Sequence, residues 1–277
     1  MRPYLLLFLV ICTPGLISAQ YYGVSDPITG QWSLGLFAGS GIIRGDVTPR
    51  WAGIQTGIYG SYTLNRGLDM RLSFQGGQWK GMDLTPTAGF RFNSAWNGTS
   101  NPAVLYDSTQ KIVHNYRMRG GDFAIALKLN LNRLFTSSKA PWDVYLLGGV
   151  GAFLYQTDVN GSDDVSGNLY DFESLSYEDP VLARQALLNL LDDTYETPAE
   201  RDVVNSTRFG PYNVHTNFHA GAGFLLPVSR NMRMGFEARY LFVSDDLLDG
   251  QQWDENNEAS VNTDKVLNLS LMLEYLF

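Results

Sequence analysis

The sequence predicts an all-β protein, an eight-stranded antiparallel up-and-down barrel that crosses a membrane with its strands. Three observations carry this expectation. From Val266 to Phe277 the chain alternates strictly, with Leu267, Leu269, Leu271, Leu273, Tyr275 and Phe277 on one face and Asn268, Ser270, Met272, Glu274 and Leu276 on the other. Such a period of two gives an extended strand one apolar face and one mostly polar face. Seven earlier segments repeat the pattern, and the connections between segments alternate between very short and very long. Lipid outside and a polar lumen inside require the alternation, and short turns on one rim with long loops on the other are usual in bacterial barrels.

The strands follow in order. Gln31–Gly45 places Trp32, Leu34, Leu36, Ala38 and Ile42 on one face. Ile54–Leu64 is the second, and Asn65-Arg66-Gly67 reads as a tight turn with glycine where a positive φ is wanted. In Leu68–Lys80, Leu68, Met70, Leu72 and Phe74 oppose Asp69, Arg71, Ser73 and Gln75. In Arg117–Leu131, Phe123, Ile125, Leu127 and Leu129 oppose Asp122, Ala124, Ala126 and Lys128. Asp143–Tyr155, Val214–Pro227 and Met232–Val243 are the fifth to seventh, and the last sets Met234, Phe236 and Ala238 against Arg233, Glu237 and Arg239.

The connections then sort by rim. Asn65–Gly67, Ser229–Asn231 and the moderate Asn132–Trp142 fall on the periplasmic side, whereas Asp46–Ala52, Met82–Tyr116, Gln156–Tyr212 and Ser244–Lys265 fall outside. Trp32, Tyr62 and Tyr275 are expected at the periplasmic interface and Trp79, Tyr116 and Tyr240 at the outer one, where amphipathic rings settle.

Residues 1–19 read as a secretory signal, with Arg2, an apolar run from Tyr4 to Cys12 and Ile17-Ser18-Ala19 before Gln20. The run is too short to span a bilayer as a helix. Cys12 is the single cysteine and lies in that signal, so residues 20–277, the expected barrel domain, offer no disulfide and no thiolate ligand. A formal charge of −8 argues against a nucleic-acid surface.

Eight strands enclose a bore that side chains fill. The inward set contains Arg71, Lys128, Arg233 and Arg239 together with Asp69, Asp122, Glu237 and Glu274, and the signs balance. A lone buried charge costs several kcal/mol, so these eight are expected to pair into a lumen ionic network. Glycines such as 35, 39, 41, 77, 149, 151 and 223 leave room for long lumen side chains. A gated ion path through the network is the alternative to simple filling.

Acids concentrate in two outer loops. Gln156–Tyr212 holds twelve Asp or Glu against three Arg, and Ser244–Asp264 holds seven and no base. Asp158, Asn160, Asp163 and Asp164 cluster hard oxygen donors of the kind calcium takes, so Ca2+ is a candidate ligand there. The spacing departs from an EF-hand because Asp163 stands where glycine is required. A solvated, mutually repelling surface is the plainer reading. In the same loop Asp179 and Pro180 open a helix over Val181–Leu191, and Thr197-Pro-Ala-Glu200 repeats the capping pattern for a second turn. Leu187, Leu188, Leu190 and Leu191 must cover the barrel mouth or meet another protein. His114, His215 and His219 are the histidines; His215 can approach Asp245 or Asp246, yet no spacing singles out a nucleophile.

Leu34-Gly-Leu-Phe-Ala-Gly39, Gly45-Asp-Val47, Gly57-Ile-Tyr-Gly-Ser-Tyr62, Tyr145–Tyr155 and Arg239–Gly250 together resemble the OmpA-like outer-membrane β-barrel superfamily as found in Bacteroidetes, with PorG-type barrels of the type IX secretion apparatus as neighbours. The resemblance implies an integral outer-membrane protein and carries no catalytic residues. Leu273, Tyr275 and Phe277 match its barrel-assembly signal, and Asp107-Ser108-Thr109 resembles a short O-glycosylation site. A peptidoglycan-binding domain after the barrel is not expected. The role expected is non-enzymatic, a scaffold or accessory subunit of an outer-membrane complex. A small-solute channel and a lipid A-modifying enzyme are the alternatives. Expected partners are outer-membrane lipid and lipopolysaccharide, the barrel-assembly machinery and a protein met through the outer loops.

Overall fold

The structure, a computed structural model, describes residues 29–47, 53–135, 142–201, 207–253, 258–259 and 263–277. The expected signal peptide and Cys12 lie outside them. Eight long strands form the wall: β1 (Trp32–Arg44), β2 (Gly53–Asn65), β3 (Leu68–Met82), β4 (Asn115–Asn130), β5 (Asp143–Val159), β8 (Tyr212–Pro227), β9 (Met232–Val243) and β10 (Lys265–Leu276). Two short strands, β6 (Thr197–Pro198) and β7 (Thr207–Phe209), and two helices, α1 (Leu131–Phe135) and α2 (Pro180–Leu190), complete it. Each long strand pairs antiparallel with its sequence neighbour, β5 with β8 and β10 back onto β1, so the sheet closes into an eight-stranded antiparallel barrel.

The register fixes the geometry. Stepping across paired residues from Ser33 leads to Ser61, Arg71, Ala126, Gly149, His219, Leu241 and Val266, and back to β1 at Ile43, ten residues beyond the start. With strands ~4.8 Å apart and ~3.3 Å per residue, a stagger of ten over eight strands tilts them by about 40°. Every residue on that path faces inward. Because side chains alternate, this parity fixes the whole wall. Leu36, Leu72, Phe74, Ile125, Phe236 and Leu269 lie on the exposed outer face, while Arg71, Lys128 and Glu237 are buried within. No helix among the described residues is long and apolar enough to cross a membrane.

Local chemistry explains several departures. The Asn65-Arg66-Gly67 turn needs no positive φ, since Gly67 is not among the residues with left-handed backbone. Its N–H donates to Asn65 Oδ1 at 3.0 Å, and a Cβ there would collide with Leu134 of α1. The glycine is required for helix packing. Gly210 does take φ +62 and turns β7 back onto β8. The expected turn at Thr197–Glu200 opens on a two-residue strand at Thr197–Pro198, because β5 runs past its expected end at Tyr155 and offers Asp158 and Val159 as pairing partners. Trp79 and Tyr116, expected at the lipid interface, point inward and are almost fully buried. Trp79 shares parity with Arg71 and Gln75 and so cannot face lipid, and Tyr116 shares parity with Asp122. Trp32 and Tyr275 do lie exposed on the outside.

The hydrophobic core is divided. A small cluster of Phe37, Tyr59, Tyr145, Leu225 and Met272 lies inside the bore. A larger one begins with Ile43, Trp79, Phe153 and Tyr155 at the loop rim and continues through Phe90, Trp96, Tyr106, Phe172 and Leu187 of the loops.

Replacing a residue of the outer wall tests the lipid-facing assignment. Leu271→Arg should destabilise the barrel in bilayers by about 2–4 kcal/mol if position 271 lies near the midplane, read from urea unfolding in vesicles.

Candidate functional site: the filled bore and its cap

All eight charged residues expected in the lumen are buried there. Glu237 is the hub. Its Oε1 accepts from Arg239 Nε at 3.0 Å and Nη2 at 2.6 Å, and its Oε2 accepts from Arg71 Nη1 at 2.5 Å and the Tyr145 hydroxyl at 2.8 Å. Arg71 also stacks its guanidinium 3.8 Å from the Tyr59 ring centre. Such a desolvated cation–π contact contributes ~2 kcal/mol. Toward the turn rim Lys128 meets Asp69 at 2.8 Å, with Asn130 Nδ2 donating to the same carboxylate at 3.0 Å. Ser33 donates to Glu274 at 2.7 Å, and Arg233 lies 3.9 Å from Glu274 but 2.8 Å from Asp143. Asp122 pairs with neither arginine nor lysine; it accepts from Asn217 Nδ2 at 2.7 Å and lies 3.3 Å from His219 Nε2.

Sequence reasoning missed Asp143, which bridges Arg233 and Arg133. The parity it shares with Tyr145 was the available signal. It also missed Tyr59 and Tyr145. Their rings need space that Gly35 and Gly223 provide, because a Cβ at either glycine would meet a tyrosine.

Above the bore, three loops fold into a cap. Residues 83–114 contribute Phe90, Trp96 and Tyr106, residues 160–201 contribute Phe172 and Leu187, and residues 244–253 contribute Leu248. Asn93 ties the first loop to the last, donating to Gly250 O at 2.8 Å and Gln251 Oε1 at 2.6 Å. The Tyr106 hydroxyl donates to Gly161 O at 2.9 Å and accepts from Tyr170 N at 3.0 Å. Asp179 caps α2 as expected, accepting from Val181 N at 2.8 Å and Leu182 N at 3.3 Å. The leucines of this segment divide: Leu187 is fully buried, Leu190 and Leu191 pack against the cap core, and Leu188 is exposed with Val181 and Leu182.

The oxygen donors considered for calcium do not converge. Asp158 is engaged by Arg119 at 3.3 Å and by Gln156, Asn160 Nδ2 donates to Asp192 at 2.9 Å, and Asp163 caps its own turn through Ser166 N at 2.6 Å. Asp164 is bound to Asp192 through its backbone N–H at 2.8 Å. Among the described residues no group of three or more His, Cys, Asp or Glu is arranged to hold a metal. His215 Nε2 does reach Asp245, at 3.0 Å, and the Tyr155 hydroxyl bonds the same carboxylate. All three are buried.

Two aspartates of the cap are buried together. Asp264 accepts from Leu248 N at 2.7 Å and Asp249 N at 3.3 Å, while Asp249 accepts from Val47 N at 2.8 Å and Gln251 N at 3.0 Å. Burial, reinforced by the nearby Asp46 and Asp246 charges, pushes the Asp249 carboxyl up to about 8. Burial and the Asp249 charge raise Asp264 strongly as well. Burial lifts Glu200, which accepts from Trp253 Nε1 at 2.9 Å, to about 7, and lowers His114 to about 4.

No protein-family model and no curated protein matches this chain. Among solved structures it is similar to Ail, the attachment invasion locus protein of Yersinia pestis, at 10% identity over 90% of this chain and 100% of that one, TM-score 0.40. It is similar to the outer membrane protein OprG from Pseudomonas aeruginosa at 10% identity over 92% and 99%, TM-score 0.43. It is also similar to Neisserial surface protein A at 10% identity over 89% and 97%, TM-score 0.41. At such identities and scores the likeness carries no functional argument. The closed eight-stranded wall, apolar outside and charged inside, is the architecture of an outer-membrane β-barrel.

Removing the hub should leave two buried guanidinium groups uncompensated. Glu237→Gln is expected to cost about 3–5 kcal/mol, measured as a lowered midpoint of unfolding. The raised aspartates set a pH dependence with the opposite sign to an ordinary ion-paired acid. Between about pH 4 and about pH 8 the folded cap keeps protons that the unfolded chain releases, so its stability falls as pH rises through that window. Hydrogen-exchange protection factors at residues 247–251, corrected for the intrinsic base-catalysed rate, should be lower at about pH 8.5 than at about pH 5, and Asp249→Asn should flatten the difference.

Proposed function

We propose that this chain is a non-enzymatic outer-membrane protein, a membrane-embedded scaffold or accessory subunit whose loop rim faces the outside and presents the cap to a partner. The observation that carries this reading is the helix α2. It packs Ala183 and Leu187 into the cap while Val181, Leu182 and Leu188 remain exposed beside a groove lined also by Leu84, Arg184 and Gln185. Solvated loops rarely hold so much exposed apolar surface on an ordered, N-capped helix. A bore filled by the Glu237 hub favours a structural role over conduction, since an ion path would have to break buried charge pairs.

The finer form of the reading, an accessory role in a type IX secretion-related complex, rests on the resemblance of the glycine-rich strand motifs. Leu273, Tyr275 and Phe277 serve as the signal for barrel assembly. Tyr275 and Phe277 are exposed with ring centres 5.2 Å apart, and Phe277 N donates to Trp32 O at 3.0 Å, so the last residue is fixed against the first strand.

Extraction in mild detergent should recover a complex from native membranes, and Leu182→Asp with Leu188→Asp should release the partner while the barrel still folds, judged by heat-modifiable migration. Recovery of a lone barrel from the wild type would overturn the reading. Planar-bilayer recordings should show baseline conductance only, and a steady channel would favour the pore instead.

A further inference from the structure

The outward face of the loop rim carries one unfavourable arrangement twice. Lys80 on β3 stands directly opposite Arg117 on β4, both on the outer face. Like charges in this position repel one another. Here the chain neutralises its own pair. Lys80 Nζ donates to both oxygens of Asp193 at 2.7 Å, and the Tyr195 ring lies 5.0 Å from Lys80 and 4.8 Å from Arg117. One register step toward the turn rim, Arg119 pairs with Asp158 at 3.3 Å. To reach this position the loop holds Asp193 at φ 64 and Tyr195 at φ 53, left-handed conformations that non-glycine residues seldom adopt. Backbone strain is accepted so that two surface cations gain partners.

The second pair is Arg44 on β1 and Lys265 on β10, again directly opposite one another. Arg44 shares the outward parity of Leu34 and Leu36, and Lys265 that of Leu267 and Leu269. Among the described residues neither side chain has an ion pair or hydrogen bond. Lys265 faces Phe242 on β9, and Phe242 lies 4.9 Å from Tyr240. The two cations thus stand at the top of the apolar wall, beside an aromatic pair, where the wall would leave the hydrocarbon layer.

We infer that Arg44 and Lys265 form a binding site for the phosphate headgroup of an anionic membrane lipid, whose acyl chains run down the wall over Leu267 and Leu269. The chemistry selects this occupant. A phosphate dianion or diester bridges two directly opposed cations and removes their repulsion. The position on the lipid-facing side admits a headgroup and excludes a folded protein's carboxylates. The inference rests on the membrane reading, so the test keeps the two apart.

The folded barrel in neutral detergent would be titrated with phosphatidylglycerol, phosphatidylcholine or inorganic phosphate and observed by native mass spectrometry. Phosphatidylglycerol should bind the wild type roughly tenfold more tightly than Arg44→Gln/Lys265→Gln, with phosphatidylcholine unaffected. Asp193→Asn, which takes the carboxylate from Lys80 opposite Arg117, should add a second bound phosphatidylglycerol. If the double variant cannot be folded, Lys265→Gln alone carries the test with a loss of roughly threefold. Equal phosphatidylglycerol binding by wild type and variant would overturn the proposal. So would inorganic phosphate competing as well as the lipid. A chain that folds into phosphatidylcholine vesicles yet shows no headgroup preference sinks this site alone, whereas one that folds as a soluble protein sinks the membrane reading.

Discussion

The stagger of ten residues around eight strands is the constraint on which the rest of the molecule depends. It sets the tilt, the width of the bore and, through the period of two, which side chain faces which medium. A shift of one residue in β3 or β9 would turn Arg71 or Glu237 toward lipid and bring leucine, phenylalanine or methionine side chains inside. The register is therefore held by a large free-energy difference and not by any single hydrogen bond. Closure also removes every open edge of the eight long strands, which a membrane demands because hydrocarbon offers no partner to an exposed N–H or C=O.

Charge balance in the bore follows from that geometry. Nine of ten charged groups, counting Asp143 and Arg133 with the eight expected, meet one another in clusters, and the tenth, Asp122, meets His219 instead. Their mutual attraction is helped to offset desolvation by hydroxyls and amides from Ser33, Asn130, Tyr145 and Asn217, each of which adds a hydrogen bond to a buried carboxylate. The tyrosines divide the work, Tyr145 donating to Glu237 and Tyr59 offering a flat surface to the Arg71 guanidinium. Glycines opposite them are the reason they fit.

The wall was legible in the sequence because alternation is a local signal. Leu68 to Phe74 against Asp69 to Gln75 needs no knowledge of the rest of the chain, and the α2 cap at Asp179–Pro180 is equally local. The cap was not legible. Its core joins Phe90, Trp96, Phe172 and Leu248 from loops far apart in sequence, and no periodicity announces such contacts. Trp79 and Tyr116 illustrate the error in miniature: being aromatic near a strand end suggested lipid, whereas their parity already pointed inward. Thr197–Pro198 carried a helix-capping motif and became a strand because β5 offered a free edge there. The acidic loops resemble a metal site in composition, while Asp158 is held by Arg119 and Gln156 and Asp163 by the backbone of its own turn.

The link from Asn93 to Gly250 and Gln251 spans 157 and 158 residues of chain. In an open polypeptide the entropy of closing so long a loop far exceeds what two hydrogen bonds return. Once the strands are zipped into a hoop, the bases of both loops are already neighbours, and that search has been completed in advance. The lid therefore matures last, after the hoop, and any machinery that inserts this chain must handle its longest segments while their tryptophans and phenylalanines are still uncovered.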